Sequence, residues 1–135
     1  MIRHAGDETR MIMTLLQVAL GGAIGAAARF LVVTGTTRAF GTGFPVGTLA
    51  VNVAGSLVMG MLAALLLGPK AHPAAPFLIT GILGGFTTFS AFSLDALRLM
   101  EDGRFGTAAL YVVLSVVLSL GACAAGLMMM RGTLT

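Results

Sequence analysis

The sequence predicts an all-α integral membrane protein with four spanning helices, and three observations carry that prediction. Of the 135 residues, 57% are hydrophobic and only 10% are charged. Mean hydropathy is +0.99. A soluble domain of this size needs far more charge to cover its surface. The apolar residues also gather into four runs near or above the roughly twenty residues that cross a bilayer. Finally, polar or helix-breaking stretches separate the runs at Thr34–Pro45, Gly68–Pro73 and Leu99–Gly106.

The runs fall at residues 11–33, 46–67, 74–98 and 107–130. In lipid each should be helical, because an open strand leaves backbone groups unpaired. Residues 1–10 and 131–135 are then an N-terminal and a C-terminal tail around a four-helix membrane domain, 11–130. Arg3 and Arg10 precede the first run and Ala26–Ala28 follow near its end, which has the outline of a signal peptide. Three further runs favour an uncleaved first helix. The eight basic residues are scattered singly, so the net charge of +3 does not point to nucleic acid. The lone Cys123 excludes an intramolecular disulfide.

Orientation in the bilayer follows Lys and Arg. With four spans, the side holding both termini carries Arg3, Arg10, Lys70 and Arg131. The other side carries Arg29, Arg38, Arg98 and Arg104. The two sides balance, so the chain is expected to insert both ways, unless Arg29 and Arg98, at helix ends, do not count or Arg3 precedes the true start. Opposed copies then pair as an antiparallel dimer. Small residues for close helix approach occur as Gly21 with Gly25, as Ser56, Gly60 and Ala64, and as Ala122 with Gly126.

Polar groups inside the spans carry the functional signal. Asn52 lies early in the second span with Thr48 one turn before it on the same face. A buried carboxamide either bonds another helix or lines a wet path. Tyr111, Ser115 and Ser119 repeat every fourth residue, a hydroxyl stripe about 12 Å long. Each can bond its own helix, yet three in register also suit a pathway. In the third span, Gly84-Gly85 and Thr87-Thr88 weaken the helix in front of Phe89 and Phe92. Either the span breaks there and its freed carbonyls coordinate something, or it is an unbroken helix packed through its glycines.

Absences narrow the class. The acids are Asp7, Glu8, Asp95, Glu101 and Asp102, and none falls at mid-span. Proton-coupled pumps and cation exporters place a carboxylate there. A small four-span guanidinium or multidrug exporter needs an acid in its first span, and residues 11–30 hold none. Hydroxyls, amides and the positive edges of aromatic rings suit an anion. No phosphate loop, metal-ligand cluster or nucleophile arrangement appears, so no enzyme is expected.

The strings GGAIGAAARF (21–30), PVGTLAVNVAGSLVMG (45–60) and GILGGFTTFSAFSLDAL (81–97), with Tyr111, Ser115 and Ser119 in the last span, resemble the Fluc (CrcB) family of fluoride channels. The likeness covers all four spans in order. It implies a passive fluoride channel of the cell inner membrane, an antiparallel dual-topology homodimer with two pores at its interface. The third helix would be broken mid-span. By the same resemblance, Thr48, Asn52, Phe89, Phe92, Tyr111, Ser115 and Ser119 line the anion pathway and Arg29 sits at the pore mouth. The backbone carbonyls of Gly84 and Thr87 hold a structural sodium ion. Asp95 stands where many relatives have Glu, and the resemblance assigns it no role.

Overall fold

The computed structural model describes residues 5–134; Arg3 of the charge count lies outside the described residues. Five helices follow one another: α1 (Ala5–Phe40), α2 (Val46–Leu66), α3 (residues 76–86), α4 (Phe89–Glu101) and α5 (Phe105–Leu134). There is no strand among the described residues. Among the described residues, four stretches are long and apolar enough to cross a membrane: Gly6–Phe40, Val46–Leu66, Pro76–Glu101 and Phe105–Gly132. The third crossing is made by α3 and α4 together. All four apolar runs are therefore helical, as lipid requires of a spanning backbone.

Helix α1 begins ahead of its apolar run and continues beyond it; its 36 residues reach about 54 Å, well past the hydrocarbon core. Two glycines let the chain turn at the far side. Gly41 after α1 has φ +79° and Gly103 after α4 has φ +73°, a region that side chains disfavour. At Gly103 the following Arg104 N–H returns to the Leu99 carbonyl at 2.8 Å, closing α4 in a Schellman-type cap.

Packing runs through glycine. Helix α1 lies against α3, where Gly21 abuts the Phe77 carbonyl and Gly25 the Ile82 carbonyl. Helix α2 lies against α5, with Gly60 on the Cys123 carbonyl and Gly126 on the Leu57 carbonyl. A Cβ at any of these positions would enter a neighbour's backbone, so the close approaches need glycine. Of the Ser56, Gly60, Ala64 series, Gly60 makes the close contact. Leu15, Leu20, Phe30, Val117 and Leu120 all point outward, as apolar side chains do when lipid is the solvent. The best buried cluster sits near the far side, where Phe92, Ala96, Leu99, Ala108 and Tyr111 meet.

Candidate functional site

Helices α2 and α5 both start at the far side and run parallel, so their residues meet in register. Thr48, Asn52 and Ser56 on α2 recur every fourth residue, as Tyr111, Ser115 and Ser119 do on α5. Such spacing stacks side chains on one face. The result is a double ladder of polar groups that descends about 12 Å from the far side toward mid-membrane. Its deeper rungs, Asn52, Ser56, Ser115 and Ser119, line a groove of about 340 Å³ that Thr87, Thr88, Phe89 and Phe92 complete. Ser115 is buried, and its hydroxyl has no hydrogen-bond partner among the described residues. The sequence reading placed Ser56 in helix packing; its spacing from Thr48 and Asn52 was the signal for the groove.

The third crossing is broken, and the break falls at Thr87–Thr88 rather than at the glycine pair. Gly84 keeps helical angles (φ −62°, ψ −36°), whereas Thr87 (φ −82°, ψ 155°) and Thr88 (φ −154°, ψ 120°) are extended. Thr side chains compete for backbone bonds, and both do so here. The Thr87 hydroxyl donates to the Leu83 carbonyl at 2.8 Å. The Thr88 hydroxyl accepts the Ala91 N–H at 3.1 Å, the N-cap of α4. Asn52 supplies the remaining partners: its Oδ1 accepts the Thr88 N–H at 2.7 Å and its Nδ2 donates to the Thr88 carbonyl at 2.9 Å. The carboxamide thus braces another element while facing the groove, and one amide N–H stays uncommitted.

These diversions free two carbonyls. An unbroken helix would give the Thr88 N–H to Gly84 and the Ala91 N–H to Thr87, and both donors go elsewhere. Hard carbonyl oxygens without donors fit a hard cation such as sodium. Gly84 is exposed, and a Cβ there would meet only the Ile79 carbonyl at 3.7 Å. Its neighbour Gly85 is the opposite: a Cβ there would meet the backbone of Gly22 and Ala26 in α1. Of this adjacent pair, Gly85 packs against another helix and Gly84 does not.

Arg29 reaches the same break. Its Nε donates to the Gly85 carbonyl at 3.1 Å, a cation at the carbonyl end of α3. It also lines a cavity of about 370 Å³ with Thr48, Asp95 and Arg98. Asp95, to which the sequence assigned no role, is the hub of the upper rung. Its Oδ2 accepts the Thr48 hydroxyl at 2.7 Å and faces the Tyr111 hydroxyl at 3.4 Å. Thr48 and Tyr111 therefore serve a carboxylate, whereas Ser115 and Ser119 face the groove. The aromatic rings form a chain along this wall. Phe89 lies 5.3 Å from Phe92 and Phe92 5.4 Å from Tyr111, with Phe44 edge-on to Tyr111 at 5.6 Å. Phe92 is buried, but Phe89 is 78% exposed at the open side of the groove.

Residues 16–127, which hold the whole of this ladder and the break, match the family model for CrcB-like protein, Camphor Resistance (CrcB). The chain belongs to the CrcB family. Curated relatives of the family show the same extent of likeness. The chain is 60% identical to the fluoride-specific ion channel FluC of Cereibacter sphaeroides over 122 residues, 90% of this chain and 98% of that protein. The FluC of Ruegeria sp. is 55% identical over 126 residues, 93% and 100% of the two chains. That of Paracoccus denitrificans is 59% identical over 119 residues, 88% and 95%. With four helices long and apolar enough to cross a membrane among its described residues and relatives named as ion channels, it is a multi-pass membrane protein.

Proposed function

We propose that this chain is a passive fluoride-selective channel that exports cytoplasmic fluoride, and that it works in the cell inner membrane as an antiparallel, dual-topology homodimer. The observation that carries the reading is the groove. It presents an unpartnered Ser115 hydroxyl, the Ser119 hydroxyl and a spare Asn52 N–H at membrane depth, and no carboxylate lines it. Donors without acceptors suit a small, strongly hydrated anion that must exchange water for protein hydrogen bonds. The ring edges of Phe89 and Phe92 add positive charge density without a full charge.

A polar groove open to lipid would be costly, so a second copy is what covers it. Two copies related by a two-fold axis in the membrane plane bring two grooves, hence two pathways. The balanced basic residues on the two sides favour opposed insertion. The freed carbonyls of Gly84 and Thr87 would hold the sodium ion together with the same pair from the second copy. The ion would supply positive charge that ties the two breaks together. The names of the relatives describe channels, and the activity proposed makes or breaks no covalent bond. Hydrogen fluoride enters cells as a neutral weak acid and ionises in the more neutral cytoplasm. The trapped anion then leaves down the inside-negative potential, which supplies about 2.3 kcal/mol per 100 mV.

Ser115→Ala tests the assignment. It removes a hydroxyl that has no hydrogen-bond partner among the described residues, so stability should hold or rise. Loss of one hydrogen bond to a charged ligand, about 1.5–3 kcal/mol, should lower fluoride efflux from liposomes by roughly 10- to 100-fold. Parental efflux from a stably folded Ser115→Ala would remove the groove from the pathway.

A further inference from the structure

A cavity of about 500 Å³ lies at the other end of the molecule from the proposed pore mouth, between the start of α1, the end of α2 and the start of α3. Its polar wall holds Arg10, Thr14, Gln17, His72 and Thr80, and among the described residues no carboxylate lines it; Asp7, one turn before Arg10, lines an adjoining cavity with Arg10 and Thr14. Gln17 lies about 10 Å along α1 from Arg10, so the polar wall extends from the membrane surface into the first turns below it. Its other wall is apolar, with Met13, Leu67 and Ile79. Around it the surface of α1 is apolar too: Met11, Ile12, Leu15 and Leu16 are each more than half exposed.

His72 is set as a donor. The Ala74 N–H donates to its Nδ1 at 3.2 Å. A backbone N–H can only donate, so Nδ1 carries no proton and the hydrogen of the neutral ring sits on Nε2. Arg10 adds a guanidinium whose fork matches phosphate oxygens. The Thr14 hydroxyl is committed to the Arg10 carbonyl of its own helix at 3.0 Å, so Arg10 and His72 are the donors. A pocket with these two donors on one flank and apolar side chains on the other, at interfacial depth, matches the phosphate and upper acyl chains of a phospholipid.

We infer that this cavity binds the headgroup of an anionic phospholipid, with the phosphate toward Arg10 and His72 and the glycerol and acyl carbons against Met13, Leu67 and Ile79. The occupant is membrane lipid rather than free phosphate, because the apolar wall and the exposed α1 surface continue from the polar one. The site lies apart from the groove and needs neither fluoride nor a second copy.

The test is lipid retention by the full-length protein, reconstituted in mixed phosphatidylglycerol and phosphatidylcholine and read by native mass spectrometry. The parent should keep phosphatidylglycerol in preference to phosphatidylcholine. Arg10→Gln, at an exposed position, should cut the retained phosphatidylglycerol about fivefold, the equivalent of roughly 1 kcal/mol for a basic residue at the surface. Lys70→Gln removes a charge from the same side, outside the cavity wall, and should change retention less than twofold. Equal losses from Arg10→Gln and Lys70→Gln would mean general surface charge, and no preference in the parent would mean no site; either overturns the inference. Displacement of the lipid by millimolar inorganic phosphate would also overturn it, since the cavity would then be a site for small anions.

Discussion

The adjacent glycines of the third span make opposite predictions when each is replaced by alanine. At Gly85 a Cβ would stand 2.5 Å from the Gly22 carbonyl oxygen and 3.1 Å from both the Gly22 Cα and the Ala26 nitrogen. All three are backbone atoms, so no side chain can swing away. Helices α1 and α3 must part by roughly half an ångström or more to restore contact distance. Overpacking of this kind costs about 1–3 kcal/mol, and a shift of 2 kcal/mol changes the folding equilibrium about 30-fold. Separation would also pull the Gly85 carbonyl from Arg29 Nε, now 3.1 Å away. At Gly84 the backbone is helical and the added methyl would meet only the Ile79 carbonyl at 3.7 Å. Within one chain, Gly84→Ala should therefore be neutral or stabilising by up to about 1 kcal/mol, through helix propensity. The proposed cation site reverses this in the dimer, where a methyl would crowd the freed carbonyls. The assays are thermal unfolding in detergent, dimer yield by light scattering, and fluoride efflux, all on one preparation. Gly85→Ala should lower the unfolding midpoint, dimer yield and flux together, and Gly84→Ala should keep the parental unfolding midpoint of the single chain but lose dimer and flux. A Gly85→Ala as stable as the parent, or a Gly84→Ala destabilised as much as Gly85→Ala, would refute the reasoning.

Three further outcomes follow from the same geometry. Asn52→Asp keeps an acceptor for the Thr88 N–H but sets a second oxygen against the Thr88 carbonyl, where the amide now donates at 2.9 Å. It should abolish fluoride efflux and lower dimer yield, and parental efflux would exclude Asn52 from the pathway. Phe92→Ile should lower both stability, by about 1–2 kcal/mol, and efflux, because that ring is buried against Tyr111. Phe89→Ile should lower efflux alone, because Phe89 is 78% exposed in one chain, and a loss of chain stability equal to that of Phe92→Ile would contradict this. Reporters fused at the C-terminus should give cytoplasmic and external signals together, and two added Lys on one side should bias the population and reduce activity. One clean orientation in the parent would end the dual-insertion proposal.

Four crossings could be read from hydropathy because lipid leaves a spanning backbone no alternative to helix. The spacing of Tyr111, Ser115 and Ser119 was equally plain, since helical period alone puts them on one face. What sequence could not reveal was the partner of each group. Gly84 and Gly85 are two adjacent weak helix formers in the middle of the third span, yet both stay in the helix. The break occurs two residues on, because Asn52, 36 residues away in the chain, satisfies both backbone groups of Thr88. Local propensity cannot register so distant a partner. Asp95 looked like an ordinary helix-end acid until the fold brought Thr48 from α2 and Tyr111 from α5 to one of its oxygens. Ser56 was legible in principle, one turn below Asn52, but its role depends on α2 and α5 running parallel. That follows from loop connections and from Gly60 and Gly126, not from either helix alone.

The most direct test of the whole account is ion flux through liposomes that contain only this purified chain. Preloaded with potassium fluoride and opened to potassium by valinomycin, they should release fluoride passively, while matched chloride-loaded vesicles stay near the leak of protein-free controls. Fluoride release no faster than that leak, or chloride release as fast as fluoride, would contradict it.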